Sequence, residues 1–394
     1  MTADSKRILS IDILRGLVMV IMALDHTRDF FHNGGITTDP MNPENTHIFL
    51  FFTRWITHFC APTFVFLSGV SAYLSAKNKS PKEASSFLIK RGLWLIVVEV
   101  LVITLGLTFN PFYNFIILQV IWAIGWSMIL LGICSRISHR LVLIVGLLLF
   151  FGLNLFNYIA APDIHTLGGG LFAAFFTTSA MFVPVGSNHT LVILYAVLPW
   201  TSAMFLGFSI GQWYNAQFDA QRRKRLLFYT GLGLFALFLF LRYFNLYGNP
   251  APRIIYSNAL QTIFSFFNVS KYPPSLQYYG MTLGPALMLL SGIENAKNWF
   301  ARIMTVYGSV PFFYYVLHFY VIHFLVVIVF FASGYVAKDI VTPQIPFLFR
   351  PLDFGFGLPI VYFIWLNIVA FLYRPCVWFK KYKANHKQWW LRYL

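Results

Sequence analysis

The chain has 394 residues, of which 58% are hydrophobic, 19% aromatic and only 11% charged. Because soluble domains carry about 25% charged residues, this composition excludes an ordinary soluble protein. The net charge of +16 does not indicate a nucleic-acid-binding protein, since the Lys and Arg residues fall in short clusters between apolar runs, as they do in membrane proteins.

The long apolar runs predict an all-α polytopic membrane protein. A helix needs about 20 mostly apolar residues to cross a bilayer. That rule predicts one integral membrane domain over residues 1–394 with ten spans, at 10–31, 48–75, 86–109, 112–133, 140–159, 190–213, 225–245, 276–293, 304–332 and 355–378. The glycine-rich segment 168–185 is apolar but contains Pro184, and we expect it to be re-entrant or interfacial.

The distribution of positive charge predicts the orientation of these spans. If both termini are cytoplasmic, the cytoplasmic segments contain 20 Lys and Arg residues and the opposite loops contain 6. This asymmetry follows the positive-inside rule. We therefore predict that both termini and residues 76–91 are cytoplasmic, and that 32–47 and 246–275 face the other side.

The first predicted span contains ionisable residues, which are costly in a membrane and by default indicate function. At 100° per residue, Arg15 and His26 lie within about 20° of one stripe and roughly 16 Å apart along the axis. Asp29 is three residues from His26 and is better placed to reach it than Asp25. The alternative is a structural role, in which Asp12 and Arg15 pair with each other and His26 and Arg28 lie among the outer headgroups.

A second helix repeats this pattern. His47, Arg54 and His58 follow one another at seven and four residues, which is again one helical stripe, and Pro62 is expected to kink the helix just beyond them. Glu99 is a candidate counter-charge for Arg54. Two helices with His and Arg on one stripe predict a shared polar cavity. On the ninth predicted span, His318 and His323 are five residues apart, so at most one of them joins it.

Several segments resemble the transmembrane acyltransferase superfamily, and more closely the bacterial relatives of heparan-α-glucosaminide N-acetyltransferase. They are RILSIDILRGLVMVIMALDH (7–26), THFCAPTFVFLSGVSAYLS (57–75), FLIKRGLWL (87–95), QVIWAIGWSMIL (119–130), KYPPS (271–275) and GSVPFFYYVLHFYVIH (308–323). The resemblance implies transfer of an acyl group, usually acetyl, from cytoplasmic acyl-CoA to a sugar on the opposite membrane face. It also implies a bacterial inner-membrane location.

The same resemblance places basic residues that hold CoA phosphates at Lys90 and Arg91, although positive-inside clustering explains this pair equally well. His26 matches the first-helix His of the bacterial O-acyltransferase branch. His47 is the nearest counterpart of the catalytic His in the lysosomal branch, so two histidines compete for the role of general base. We favour His26. Direct transfer and an acyl-histidine intermediate both stay open.

Taken together, the residues and the resemblance predict three groups of site residues. The predicted catalytic residues are His26, His47, His58, Asp25 and Asp29; the acetyl-CoA-binding residues are Arg15, Lys90, Arg91 and Arg54; the acceptor-binding residues are Arg28, Lys271 and His318. The expected partners are acyl-CoA, a carbohydrate and the bilayer. We expect no nucleic acid and no metal, since the three cysteines are isolated and no HExxH motif occurs, and a homodimer stays open.

A membrane transporter of a sugar or a lipid-linked glycan is the alternative function, because a polar cavity between helices also suits transport. Transporters often contain internal repeats, and the two halves of this sequence show no convincing similarity. A basic cluster on one side and histidines on the other fit a two-sided reaction better.

Overall fold

A computed structural model describes residues 8–159, 163–177, 181–342 and 345–392. The chain is mostly helical over these ranges. The α-helices are α1 (Leu9–Phe31), α2 (Ile48–Thr57), α3 (Cys60–Ala76), α4 (Pro81–Val98), α5 (Thr104–Thr108), α6 (Val120–Ile137), α7 (His139–Gly152), α8 (Leu167–Phe172), α9 (Val197–Gly211), α10 (Ala220–Tyr243), α11 (Ala259–Phe267), α12 (Leu276–Gly292), α13 (Trp299–Ser309), α14 (Pro311–Ala332) and α15 (Leu358–Asn385).

Six helical segments within the described ranges are long and apolar enough to cross a membrane. They are Ile48–Ala76, Val120–Ile137, His139–Tyr158, Ala220–Tyr243, Pro311–Ala332 and Leu358–Asn385. The other four predicted spans correspond to α1, to α4 continuing into α5, to α9 and to α12, which are shorter or more charged. Ten spans and the orientation of the termini therefore stay predictions. Lys6 and Arg7, on which part of the orientation depends, lie outside the described residues.

The prediction of an all-α fold is wrong in one region, where three short strands form a sheet. Strand β1 (Phe115–Leu118) pairs parallel with β3 (His189–Ile193), which pairs antiparallel with β2 (Met181–Val185). The strands β1 and β3 lie within, or overlap, the segments predicted as spans 112–133 and 190–213. Periodicity does not distinguish a short apolar strand from part of a buried helix, although Ile and Val favour strands.

Segment 168–185 is built from more than one element. It contains most of α8, a turn of π-helix at Ala173–Thr177 and the strand β2, with residues 178–180 outside the described ranges. Because β2 pairs within the sheet, this segment is not one continuous helix. Its irregular structure fits the expected re-entrant or interfacial segment better than an eleventh span.

The expected kink at Pro62 is a break between α2 and α3. Proline has no N–H to donate to the carbonyl four residues earlier, which here belongs to His58. That carbonyl accepts a hydrogen bond from the Tyr278 hydroxyl at 2.7 Å instead. The backbone group freed by Pro62 thus ties the break to α12.

Close backbone contacts between helices hold the centre of the molecule together. A Cβ on Gly16 of α1 would lie 1.9 Å from the carbonyl oxygen of Met304 in α13, and one on Gly308 would lie 1.8 Å from that of Asp12. Gly69 of α3 meets the Met204 carbonyl of α9 in the same way. These glycines let helix backbones touch.

The loops are sorted between the two ends of the helix bundle. At one end, Asn268 Nδ2 donates to the Met41 carbonyl, and Arg350 donates to the carbonyl of His32 at 2.9 Å. Loops 32–47 and 246–275, which charge assigns to one side, therefore meet at one end together with the loop around Arg350. Lys77, Arg91 and Lys383, all from segments assigned to the other side, meet at the opposite end.

Candidate functional site

Two cavities lie along α1. The larger, which we call the Arg15 cavity, has a volume of about 910 Å³. The smaller, the His26 cavity, has a volume of about 440 Å³. Both are lined by α1 residues, and Phe64 of α3 contributes to both. The rise of a helix places Arg15 and His26 roughly 16 Å apart along the axis, so the two cavities lie toward opposite ends of α1.

The Arg15 cavity is strongly cationic. Four basic side chains line it, from α1, the end of α3, α4 and α15: Arg15, Lys77, Arg91 and Lys383. Asp12 is the one acidic side chain of the described lining. A cavity with this charge suits a ligand that carries several negative charges.

Arg15 is held in place by three elements. Its guanidinium donates to Asp12 Oδ1 at 3.2 Å, to the Gly308 carbonyl at 3.2 Å and to Ser71 Oγ at 2.6 Å. The close contact of α1 with α13 brings the Gly308 carbonyl within reach. The Asp12–Arg15 pair of the structural alternative is thus present, and Arg15 lines the cavity as well.

Lys90 and Arg91 differ although they are neighbours. Arg91 lines the Arg15 cavity, whereas Lys90 is exposed and lies outside that lining. Consecutive residues on a helix point about 100° apart, so one cavity cannot readily take both side chains.

The His26 cavity contains three of the five predicted catalytic residues and one of the three predicted acceptor-binding residues. Its charged and proton-transferring side chains are Asp25, His26, Asp29, Arg54 and Lys271, joined by Gln119, Tyr195, Tyr272 and Tyr315. His26 Nδ1 lies 3.9 Å from Asp29 Oδ2. The spacing of three residues on the helix predicts this approach, but the distance is too long for a direct hydrogen bond.

The carboxylates of this cavity are paired with two arginines. Arg54 of α2 donates to Asp25 Oδ2. Arg28, almost fully buried, donates to Asp25 Oδ1 at 3.3 Å and to Asp29 Oδ1 at 2.5 Å. Arg28 does not line the cavity, and it holds the two carboxylates in place from the protein side.

Arg54 therefore lies in the His26 cavity, away from the basic residues with which it was grouped as an acetyl-CoA ligand. Its counter-charge is Asp25, so the expectation that Glu99 pairs with it is wrong. The Glu99 carboxylate instead accepts the backbone N–H of Gln119 at 2.5 Å. Glu99 thereby binds the start of α6, where backbone N–H groups are available to an acidic side chain.

Two of the other predicted histidines lie outside the linings of both cavities. His47 is exposed at the start of α2, where its Nδ1 accepts the Leu50 N–H at 3.4 Å. His58 is buried at the break between α2 and α3, with its ring 5.6 Å from the Tyr278 ring.

His318 lies behind His26. Its ring centroid is 5.3 Å from that of His26, its side chain is fully buried, and it lies outside the lining of the cavity. His318 Nδ1 contacts the Tyr315 carbonyl at 2.5 Å. His323 faces elsewhere and contacts the carbonyls of Leu107 and Leu348. Only one of the two histidines of α14 is therefore next to the site.

Lys271 and Tyr272 form a second charged corner of the His26 cavity. Within the described part of the chain, no carboxylate lies in ion-pair distance of Lys271, whose Nζ is 5.1 Å from the centroid of the Tyr272 ring. Burial raises the pKa of Tyr272, but the charges of Lys271 and Arg54 and hydrogen bonds with Tyr195 and Lys271 outweigh it, and its pKa is lowered.

Sequence reasoning missed the tyrosines and Gln119. The sequence could have indicated Tyr272, since it follows Lys271 in the KYPPS motif. Tyr195 follows a strand that was predicted as part of a helix, and no spacing indicated it. Across the described residues, no three His, Cys, Asp or Glu side chains cluster in a way that would hold a metal ion.

The fold and the two cavities define a class: an integral membrane protein of apolar helices with a cationic cavity at one end and a histidine–carboxylate cavity at the other. Residues 7–243 match the family described as heparan-alpha-glucosaminide N-acetyltransferase, catalytic. The match covers more than half of the chain, and the protein belongs to this family of acetyltransferase-type enzymes. A comparison with curated proteins finds no match.

Proposed function

We propose that the protein transfers an acetyl group from cytoplasmic acetyl-CoA to an amine or hydroxyl of a carbohydrate acceptor on the opposite membrane face. One observation carries this proposal: α1 lines a cationic cavity at one end and a histidine–carboxylate cavity at the other, and Phe64 borders both. A two-sided transfer needs a donor site and an acceptor site that meet inside the membrane.

The Arg15 cavity is the proposed donor site. Arg15, Lys77, Arg91 and Lys383 supply positive charge for the phosphates of CoA, which charge-assisted hydrogen bonds hold well. Apolar side chains such as Leu95 and Met128 line the same cavity and suit the uncharged arm of the donor. In this arrangement the thioester of the donor lies at the level of Phe64, and the acceptor binds beside His26.

His26 is the proposed general base. It takes a proton from the acceptor amine or hydroxyl, whose nitrogen or oxygen attacks the thioester carbonyl carbon. The carbon–sulfur bond then breaks, and the CoA sulfur leaves with the proton from the imidazolium. Asp29, at 3.9 Å from His26 Nδ1, stabilises the positive charge that His26 carries between these steps.

We further propose that His318 orients His26. A neutral His318 that donates from Nδ1 to the Tyr315 carbonyl keeps Nε2 as an acceptor. Because Nδ1 points to the backbone of α14, Nε2 points away from it. His26, on the neighbouring α1, lies within ring contact. His318 then acts through His26, while Lys271 faces the acceptor.

The test is acetyl transfer from acetyl-CoA by purified protein carrying His26→Ala or His47→Ala. Loss of a general base costs about 10²–10⁴-fold in rate, so we expect His26→Ala to lose transfer while it still binds acetyl-CoA. His47→Ala, outside both cavities, serves as the matched histidine control and should keep most of its turnover.

Two results would contradict the proposal. Near-normal turnover of His26→Ala with an inactive His47→Ala would assign the base to His47, and a wild-type protein that binds no acetyl-CoA would favour a transporter. A measurement of CoA release by the wild-type protein distinguishes direct transfer from an acyl-histidine intermediate. A burst of CoA release without acceptor indicates an acyl-histidine intermediate, and direct transfer gives no burst.

A further inference from the structure

The His26 cavity is lined by both charged and apolar residues. Its charged residues come from α1, α2 and the segment before α12. The sheet and the loop before α15 contribute six apolar residues, beside the polar Gln119 and Tyr195 that follow the strands: Ile117, Phe182, Val192, Leu194, Pro346 and Phe347. A site for a wholly polar sugar has no need of so extended an apolar surface.

The strand register explains how the sheet contributes to this apolar surface. Ile117 of β1, Val192 of β3 and Phe182 of β2 are direct partners across the three strands. Directly opposite residues point to the same face of a sheet. These three side chains therefore form one row, which we call the apolar row, and all three line the cavity.

The next row of the same sheet supplies the packing that the strands need. Leu118, Ile193 and Met181 are also partners, and they are buried in a small apolar cluster with Ala173 and Ala174. Successive residues of a strand point to opposite faces. The sheet is thus anchored by one face, and its apolar row is turned toward the cavity.

The outer end of the apolar row is open. Ile117 and Val192 are almost fully buried, but Phe182 is 61% exposed although it lines the cavity. Phe182 therefore lies at the mouth. Contact between Phe182 and an apolar part of a ligand would bury apolar surface on both, and this burial favours binding.

We propose that the acceptor is an amphiphile, with a polar head that carries the reacting amine or hydroxyl beside His26 and an apolar substituent along the apolar row. This inference rests on the proposed acetyl transfer and names the class of its acceptor. The substituent is an alkyl chain, as in a glycolipid, or an aryl group, as in an aromatic glycoside. Both present the same apolar surface to Phe182 and Val192.

The experiment measures acetylation of a series of glucosamine glycosides by protein in lipid nanodiscs. The series has methyl, butyl, hexyl and phenyl aglycones on one sugar, so only the apolar substituent changes. Burial of a methylene group corresponds to about four-fold in affinity. We expect kcat/KM to rise by about that factor for each added methylene until the row is covered, and the phenyl member shows whether an aromatic group serves as well.

Two Phe variants distinguish binding of the substituent at the apolar row from partition of the glycoside into the bilayer. Phe182→Ser should abolish the advantage of the hexyl over the methyl glycoside. Phe112→Ser is the matched control, since Phe112 is 77% exposed and lies outside the described linings of both cavities. It should keep the full advantage, because partition of the glycosides into the nanodisc is the same for both variants.

Equal kcat/KM for all the glycosides would overturn the inference and leave acetyl transfer standing, as would a hexyl advantage of the same size in Phe182→Ser. Equilibrium binding of the methyl and hexyl glycosides to the wild type and to Phe182→Ser gives the same comparison without turnover. A third outcome would refute the proposed function alone. In it, the wild type neither binds acetyl-CoA nor acetylates any glycoside, but it still binds the hexyl glycoside more tightly than Phe182→Ser does.

Discussion

At the scale of the residue, the neighbours Lys90 and Arg91 show how far one position along a helix matters. Arg91 faces the Arg15 cavity and Lys90 faces out of it. The basic pair in the sequence therefore contains one candidate phosphate ligand and one residue that positive-inside clustering explains.

This difference predicts unequal effects of the same substitution. Loss of a charge-assisted hydrogen bond costs about 1.5–3 kcal/mol, so Arg91→Gln should weaken acetyl-CoA binding roughly ten-fold or more. Lys90→Gln, with the same change of charge one residue away, should leave it almost unchanged. The measurement is the dissociation constant for acetyl-CoA, and a loss confined to Lys90→Gln would contradict the placement of Arg91.

His26 and Asp29 could be grouped from spacing alone, because both lie on one helix and three residues apart. Arg54 could not be assigned correctly, because its partner is on another helix. Asp25 and Glu99 were both available as counter-charges, and only the packing of α1 against α2 decides between them.

At the scale of the element, α1 depends on the glycines through which it touches α13. Because a Cβ on Gly16 would lie 1.9 Å from the backbone carbonyl oxygen of Met304, one of the two helices has to move. At the same contact, the Arg15 guanidinium donates a hydrogen bond to the Gly308 carbonyl. The stability of α1 and the geometry of the Arg15 cavity are therefore coupled.

Gly16→Ala should accordingly lower the thermal stability of the detergent-solubilised protein. Overpacking costs about 1–3 kcal/mol, and acetyl-CoA binding should weaken as well because Arg15 shifts. Gly233→Ala in α10 is the control, since no atom lies within 4 Å of an added Cβ there and alanine favours a helix. If both variants melt like the wild type, the backbone contact of α1 with α13 is not as close as described.

At the scale of the whole molecule, the sidedness of the two cavities follows from the charge of the loops. Residues 76–91 meet the C-terminal helix at the Arg15 end, and 32–47 meet 246–275 at the His26 end. The positive-inside rule then predicts a cytoplasmic Arg15 cavity.

Labelling of single cysteines in intact cells tests this orientation. Asn33 and Asn78 are both exposed and lie at opposite ends of the bundle. In a background with the native cysteines replaced by Ser, Asn33→Cys should react with a membrane-impermeant maleimide from outside and Asn78→Cys should react only after lysis. Labelling of both from outside would overturn the predicted span count and, with it, a two-sided reaction.

The sequence alone determined what depends on composition and on neighbours along one chain segment. Apolar runs predicted the helices, and six motifs between residues 7 and 323 carried the resemblance to the family whose match covers residues 7–243. The spacing on α1 put Arg15 and His26 on one stripe. These features are local, because helical geometry repeats every few residues and a bilayer requires long apolar segments.

Only the tertiary structure decided which distant groups meet. It placed Lys271 and Tyr272 beside His26, set His318 behind it, left His47 outside both cavities and turned the Ile117–Val192–Phe182 row of a sheet toward the site. Such contacts join residues tens to hundreds of positions apart. They arise from the register of strands and from the helix faces that glycine brings together, and neither leaves a periodic signal in a single segment of sequence.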